Sequence, residues 1–235
     1  MPSAAILVVQ HQLTCPPGWL GESLTAAGAA LDVRHPYAGQ PLPEDLTGHA
    51  GLVVLGGSMG ANDDGLFPWL GRTKALVRDA AAHGIPALGI CLGHQLAAVA
   101  LGGVVEVNPA GPQNGVLDVG WLPDADDDEL LAGCGSRVVQ WNDDIVSRLP
   151  VGSTVLARAA TGELQAARFA PTVWGVQWHP EAGVDLVRTW AEAHRLAEPV
   201  RAAEIDERVE DVAVESEQLR EGWRPLGPRF AALVR

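Results

Sequence analysis

Residues Ile85 to Gly103 read Ile-Pro-Ala-Leu-Gly-Ile-Cys-Leu-Gly-His-Gln-Leu-Ala-Ala-Val-Ala-Leu-Gly-Gly, and this stretch decides how the rest of the chain is read. Ala87 to Ile90 is a continuous apolar run suited to a strand buried on both faces. Leu96, Val99 and Leu101, closed by Gly102 and Gly103, have the spacing and stop of a short helix. Cys91 stands at the join. Gly89 and Gly93 flank it at the spacing of a nucleophile elbow, a sharp strand-to-helix turn in which small neighbours let a reactive side chain stand clear of the sheet. The helix N-terminus behind it favours a thiolate. A cysteine taken at random is a small buried residue, so the remainder of the chain has to supply a base, a group that orients it and donors for an oxyanion.

Outward from this stretch, short apolar runs alternate with helical patterns. Ala4 to Val9, Leu31 to Val33 and Gly51 to Leu55 read as strands. Gly18 to Gly28 and Trp69 to His83 read as helices, and Pro36 to Pro43 as loop. The alternation predicts an α/β fold: an open, mostly parallel sheet with helices on both faces, in which ligands sit beyond the C-terminal strand ends. Cys91 and the glycine-rich Gly56-Gly57-Ser58-Met59-Gly60 both fall at such ends. Beyond Gly103, Val104 to Trp121 and Arg137 to Ala170 read as strands and turns. The acidic connector Asp124 to Glu129 lacks the EF-hand pattern and reads as a solvated loop. Val173 to Trp178 is the last strand. From Ala191 the chain is charged and Ala-rich, with Ile205, Val209, Val212 and Leu219 near helical spacing. The expected division is therefore a domain over residues 1–190 and a helical extension over 191–235, its apolar face packed on the domain or on a second subunit of a homodimer.

The chemistry has two ends. His179 and Glu181 are two residues apart around Pro180, so on an extended backbone both project to one side, and Glu181 is placed to orient His179 as a base toward the thiol. His94, three residues past Cys91, is the rival histidine, one helical turn deeper. His11, His35, His49, His83 and His194 show no partner pattern and read as surface or loop residues. Cys15 and Cys134 lack an elbow and a nearby base and read as inert. The backbone N–H of Leu92, the residue after the nucleophile, is an oxyanion donor by elbow geometry.

Two segments carry a resemblance to a known family. Gly-Ile-Cys-Leu-Gly-His-Gln around Cys91, and Val-Gln-Trp-His-Pro-Glu ending at Glu181, closely resemble the nucleophile and His-Pro-Glu motifs of class I (triad) glutamine amidotransferases. Phe67-Pro68-Trp69-Leu70, Ala100-Leu101-Gly102-Gly103 and Gly120-Trp121 extend the likeness over about Ala4 to Trp190. Within that family the chain looks most like stand-alone proteins related to the amidotransferase domain of GMP synthetase. The resemblance implies a flavodoxin-like sheet and a Cys91–His179–Glu181 triad with no metal and no cofactor. It also implies Gly57 as the second oxyanion donor, and Gln95 with Gly56 in glutamine binding. Where relatives carry Trp-His-Gly-Asp this chain has Trp141-Asn142-Asp143-Asp144. That segment is implied to hold the substrate's amino-acid end, so Asn142 and Asp143 are candidate substrate contacts, and the extra carboxylate sets free glutamine against other γ-glutamyl compounds as substrate.

Composition bounds the partners. The net charge of −13 argues against nucleic acid and against an anionic membrane surface. No apolar run approaches the length of a spanning helix, Met1 to Val9 has no signal-peptide pattern, and the three cysteines show no framework spacing. A cytoplasmic protein with reduced thiols is expected. Residues 191–235 are too few for an ATP-pyrophosphatase domain, so ammonia would pass to a synthetase in trans. A stand-alone γ-glutamyl peptidase and a non-catalytic binding relative are the competing classes, the last opposed by the intact Cys91, His179 and Glu181.

Overall fold

The computed structural model of the protein describes residues 4–197 and 199–234. In chain order, β1 (Ala5–Val9), α1 (Gly18–Ala26), β2 (Leu31–Arg34), β3 (His49–Val54), α2 (Trp69–His83), β4 (Ala87–Ile90) and α3 (Leu92–Ala100) form the first half. β5 (Val104–Val107), β6 (Gln113–Asp118), β7 (Arg137–Asn142), β8 (Asp144–Arg148), β9 (Thr154–Arg158), β10 (Leu164–Ala170) and β11 (Val173–Val176) follow. Four helices close the chain: α4 (Val184–Ala197), α5 (Ala202–Val214), α6 (Ser216–Trp223) and α7 (Leu226–Leu233).

The main sheet runs β2-β1-β3-β4-β11-β10-β9. Its first five strands are parallel; β10 pairs antiparallel with β11, and β9 antiparallel with β10. The parallel part has the flavodoxin-like order, with β11 as the fifth strand. Because successive side chains of a strand point to opposite faces, each apolar run feeds two cores. From β1, Ile6 and Val8 join Leu20 and Leu24 of α1 and Phe230 of α7, whereas Leu7 and Val9 join Leu70 and Leu76 of α2 and Leu96 of α3. Helices therefore cover both faces, as the sequence pattern predicts.

Residues after Gly103 add two small antiparallel ladders, β5 with β8 and β6 with β7. The connector before Leu130 is not wholly a solvated loop. The Asp128 side chain is fully buried, accepting hydrogen bonds from the backbone N–H groups of Leu130 and Leu131 at 3.1 and 3.0 Å and from Trp174 Nε1 at 3.1 Å. A buried carboxylate held by donors from two elements fixes that connector on the sheet.

α4 runs unbroken through residue 190. Val187 and Trp190 of α4, Ile205 and Val212 of α5 and Leu219 of α6 bury against Val139 and Trp141 of β7. The apolar face of the tail is thus occupied within its own chain. Arg137 clamps the arrangement with a two-pronged ion pair to Glu215, 2.8 and 2.6 Å. α7 packs on α1 so closely that a Cβ on Gly227 would stand 2.4 Å from Ser23 Oγ. No helix among the described residues is long and apolar enough to cross a membrane.

Candidate active site

Cys91 sits between β4 and α3 with φ 51° and ψ −107°, and among the described residues no other non-glycine has a positive φ. Such a backbone costs on the order of 1–3 kcal/mol and persists only where the surroundings enforce it. The enforcement is visible in the flanking glycines. A Cβ on Gly93 would lie 2.0 Å from the Val54 carbonyl oxygen, and one on Gly89 would lie 2.4 Å from the Gly93 carbonyl oxygen. The strand-to-helix turn is packed through backbone on both sides of Cys91, which is why no larger residue fits at either glycine.

β11 delivers the second half. It lies beside β4 in parallel register, Val176 opposite Ile90, so the residues that follow each strand emerge side by side. His179 Nδ1 is 2.7 Å from Glu181 Oε1, both side chains are buried, and the imidazole lies beside Cys91 over Gly56. Burial works against a charge on His179. The Glu181 carboxylate and the Cys91 sulfur outweigh it, and the imidazole is pushed up to about 10. The imidazole is therefore protonated at neutral pH. Trp190 packs on His179 at a ring separation of 4.5 Å, and the Trp19 backbone N–H donates to the Glu181 carbonyl at 3.0 Å, fixing the His-Pro-Glu segment from two directions.

The remaining expected site residues fall in different places. Gly57 lines the cavity above Cys91, and a Cβ there would be 2.9 Å from a methyl of Leu92. Leu92 opens α3, where backbone N–H groups lack intrahelical acceptors, while its side chain enters the core beneath. Gly56 does not line the cavity. It lies beneath the imidazole, where a Cβ would be 3.0 Å from His179 Cε1 and 3.7 Å from Cys91 Cβ. Gln95, Asn142 and Asp143 all line the cavity. His94 is fully buried against Phe169 and Gly175, and burial pushes it down to about 3, leaving it neutral.

The cavity, about 610 Å³, opens at the C-terminal strand ends and is walled by the segments following β1, β3, β4 and β11 together with β7 and α4. Several wall residues escape the sequence reading. Gln12 to Cys15 follow β1. Gln12 Oε1 accepts from the backbone N–H and hydroxyl of Ser58 at 3.0 and 2.8 Å, tying two walls together. Strand order alone brings them there, since β1 and β3 are neighbours. Cys15 faces the same cavity, and burial, with the nearby Glu181 and Cys91 charges, pushes its thiol up to about 12. Trp190 and His194 come from α4, His194 packing on Trp141 at 5.3 Å, and no local pattern marks them. His11 is also not a surface residue: it is buried, with Nδ1 accepting from Trp69 Nε1 at 3.2 Å. Trp141 and Asn142 line the cavity, and their Nε1 and Oδ1 atoms are buried without partners among the described residues.

A sequence profile of the family described as glutamine amidotransferase class-I matches residues 19–187. The glutamine-hydrolyzing GMP synthase subunit of Methanosarcina acetivorans is 42% identical over 101 residues, which is 41% of this chain and 51% of the relative. Its counterpart in Saccharolobus solfataricus is 32% identical over 158 residues, 66% of this chain and 77% of the relative. The chain thus spans about half the length of the first of these and three-quarters of the second. A crystal structure of a glutamine amidotransferase from Thermotoga maritima superposes with a TM-score of 0.85 at 25% identity, covering 97% of this chain and 98% of that one. Both motif segments, the elbow and the His-Pro-Glu strand end, lie within the matched span, and the chain belongs to the class I glutamine amidotransferases.

Proposed function

We propose that this enzyme hydrolyses the γ-amide of glutamine through a γ-glutamyl thioester on Cys91 and releases ammonia to a separate acceptor enzyme. The observation that carries the reading is the strained Cys91 elbow set against a His179–Glu181 pair 2.7 Å apart. The Cys91 sulfur attacks the side-chain carbonyl carbon, and the oxygen takes up negative charge facing the backbone N–H groups of Gly57 and Leu92. His179, as the imidazolium, gives its proton to the departing nitrogen, so that the C–N bond breaks and ammonia leaves. The now neutral imidazole takes a proton from water, whose oxygen attacks the thioester carbon. Glutamate departs, with the thiolate and imidazolium restored. Glu181 holds Nδ1–H and stabilises the imidazolium throughout. Gln95, Asn142 and Asp143 receive the amino-acid end of the substrate.

Relatives named as glutamine-hydrolyzing GMP synthase subunits favour a synthetase in trans as acceptor. One observation favours a second reading. The cavity wall carries Asp143 and Asp144, while no Lys or Arg is among the described residues lining it. A pocket of that charge suits a γ-glutamyl compound with a cationic or uncharged far end better than the free α-carboxylate of glutamine. The deciding experiment offers the purified chain glutamine and a set of γ-glutamyl dipeptides and amides at matched concentration. Glutaminase activity that rises when a GMP-synthetase-type partner is added supports the amidotransferase reading. Fast cleavage of the γ-glutamyl compounds with glutamine nearly untouched replaces it with the hydrolase.

A further inference from the structure

We propose that Gln177 is a positioning residue for the nucleophile: its side-chain N–H donates to the Cys91 sulfur, in an orientation dictated by Gln95 and the Asp144 carbonyl. This rests on the reading of Cys91 as the nucleophile, but on no particular substrate.

Gln177 follows β11, two residues before His179, and is fully buried, its backbone N–H bonded to the Gln165 carbonyl at 2.8 Å. Its Nε2 lies 3.7 Å from Cys91 Sγ, within the reach of an N–H to sulfur bond. An amide's oxygen and nitrogen have the same shape, so the surrounding network has to settle which of them faces the sulfur. Here it does so without ambiguity. The Gln95 terminal atom nearest the Asp144 carbonyl oxygen, at 3.0 Å, has to be nitrogen, because a carbonyl only accepts. The same nitrogen lies 3.3 Å from Gln177, and its second hydrogen requires an acceptor there, which is Oε1. With Oε1 committed, the Gln177 group directed at Cys91 is the NH₂.

The consequence is chemical. A thiol sulfur is a weak acceptor, whereas a thiolate accepts strongly, so a fixed donor aimed at it favours the charged form. His179 lies beside Cys91 in the same cavity. The charge is then held by an imidazolium and an amide N–H at once, and the thiolate is stabilised as nucleophile and again as the group expelled when the thioester is hydrolysed. The relay also reaches the substrate wall: Asn142 Nδ2 shares the Asp144 carbonyl at 3.2 Å, and Asn142 and Asp144 both line the cavity.

The test follows the rate of Cys91 alkylation by iodoacetamide against pH in the full chain, read by mass spectrometry at that cysteine. Gln177→Met keeps the shape and removes the donor. It should raise the pH of half-maximal alkylation by about one unit, equivalent to about tenfold less thiolate below that midpoint. Gln95→Met leaves Gln177 in place but unoriented, and should move the midpoint in the same direction by less. Gln140→Met is the control: Gln140 is a buried amide bonded to Gln165 and outside the relay, so it should lower thermal stability and leave the midpoint alone. A folded Gln177→Met chain with an unchanged midpoint overturns the proposal. Should that variant fail to fold, an unchanged midpoint in Gln95→Met overturns it equally. A shifted midpoint together with no turnover of any γ-glutamyl compound would sink the proposed reaction and leave the relay standing.

Discussion

The elbow around Cys91 and the helical tail from Val184 onward both build the site, by opposite means. The elbow is held by backbone pressed on backbone: Gly89 against Gly93, Gly93 against the Val54 carbonyl, and a positive φ at the residue between. The tail is held by side chains meeting across long sequence separations, as when Trp190 of α4 packs on His179 and its Nε1 donates to the Thr14 carbonyl at 2.7 Å. A steric requirement between neighbours tolerates no substitution, whereas a packed wall tolerates many at a graded cost. In the proposed reaction the reacting atoms are therefore tied to the rigid arrangement, and the wall that would shape the substrate to the adaptable one.

That contrast can be broken most forcefully at Gly93. Gly93→Ala places a methyl 2.0 Å from the Val54 carbonyl, so α3 has to move off β3. A loss of about 3 kcal/mol or more in denaturant unfolding, together with loss of activity, is expected. A stable, active Gly93→Ala chain would show that the elbow is looser than these contacts require. Next is Phe230→Ala in α7, a residue fully buried in the core shared with α1 and β1. Truncation there should cost about 3–5 kcal/mol. A cost below about 1 kcal/mol would show that residues 191–235 contribute little to the folding of residues 1–190.

Smaller effects separate chemistry from wall. Glu181→Gln removes the charge that outweighs burial at His179, so the imidazole should lose its proton at lower pH. With the native pair, the folded-state value of about 10 lies above the ordinary 6.5. The stabilisation from the charged imidazole is thus complete below about 6.5 and lost as pH rises toward 10. The alkaline limb of kcat should follow it near 10 in the native chain and move acidward in Glu181→Gln, with turnover reduced about 10–100-fold. An unmoved limb would detach Glu181 from the base. The mildest change is His194→Ala on the α4 wall, for which a rise in KM of a few fold with kcat nearly unchanged is the expected outcome; a collapse of kcat would place His194 in the chemistry.

The same contrast explains what can be read from the sequence. The parallel strands declare themselves as apolar runs because each feeds two cores, as Ile6 and Leu7 do. The elbow declares itself because its glycines are required by contacts with the same turn and with the adjacent strand. Asp128 escapes because its burial depends on Trp174, a partner 46 residues away. His194 and Trp190 escape for the same reason: their membership of the cavity wall arises when α4 lies over β7, and neither segment alone encodes that meeting, while Cys15 reaches the wall only because β1 lies beside β3. Gln177 falls within a recognisable motif, but its role resides in the direction of an amide, which only the hydrogen-bond network reveals.

The proposed reaction acylates Cys91 and leaves the other two cysteines free. A glutamine-like electrophile incubated with the full chain, followed by peptide mass spectrometry, tests it directly, because three free cysteines compete and two of them are disfavoured on physical grounds. Burial pushes up the thiols of Cys15 and Cys134, the former to about 12, so both stay protonated. The proposed reaction requires the adduct on Cys91, lost in Cys91→Ser and suppressed by excess substrate. An adduct on Cys15, which shares the cavity, or on Cys134, with Cys91 unmodified, would contradict it.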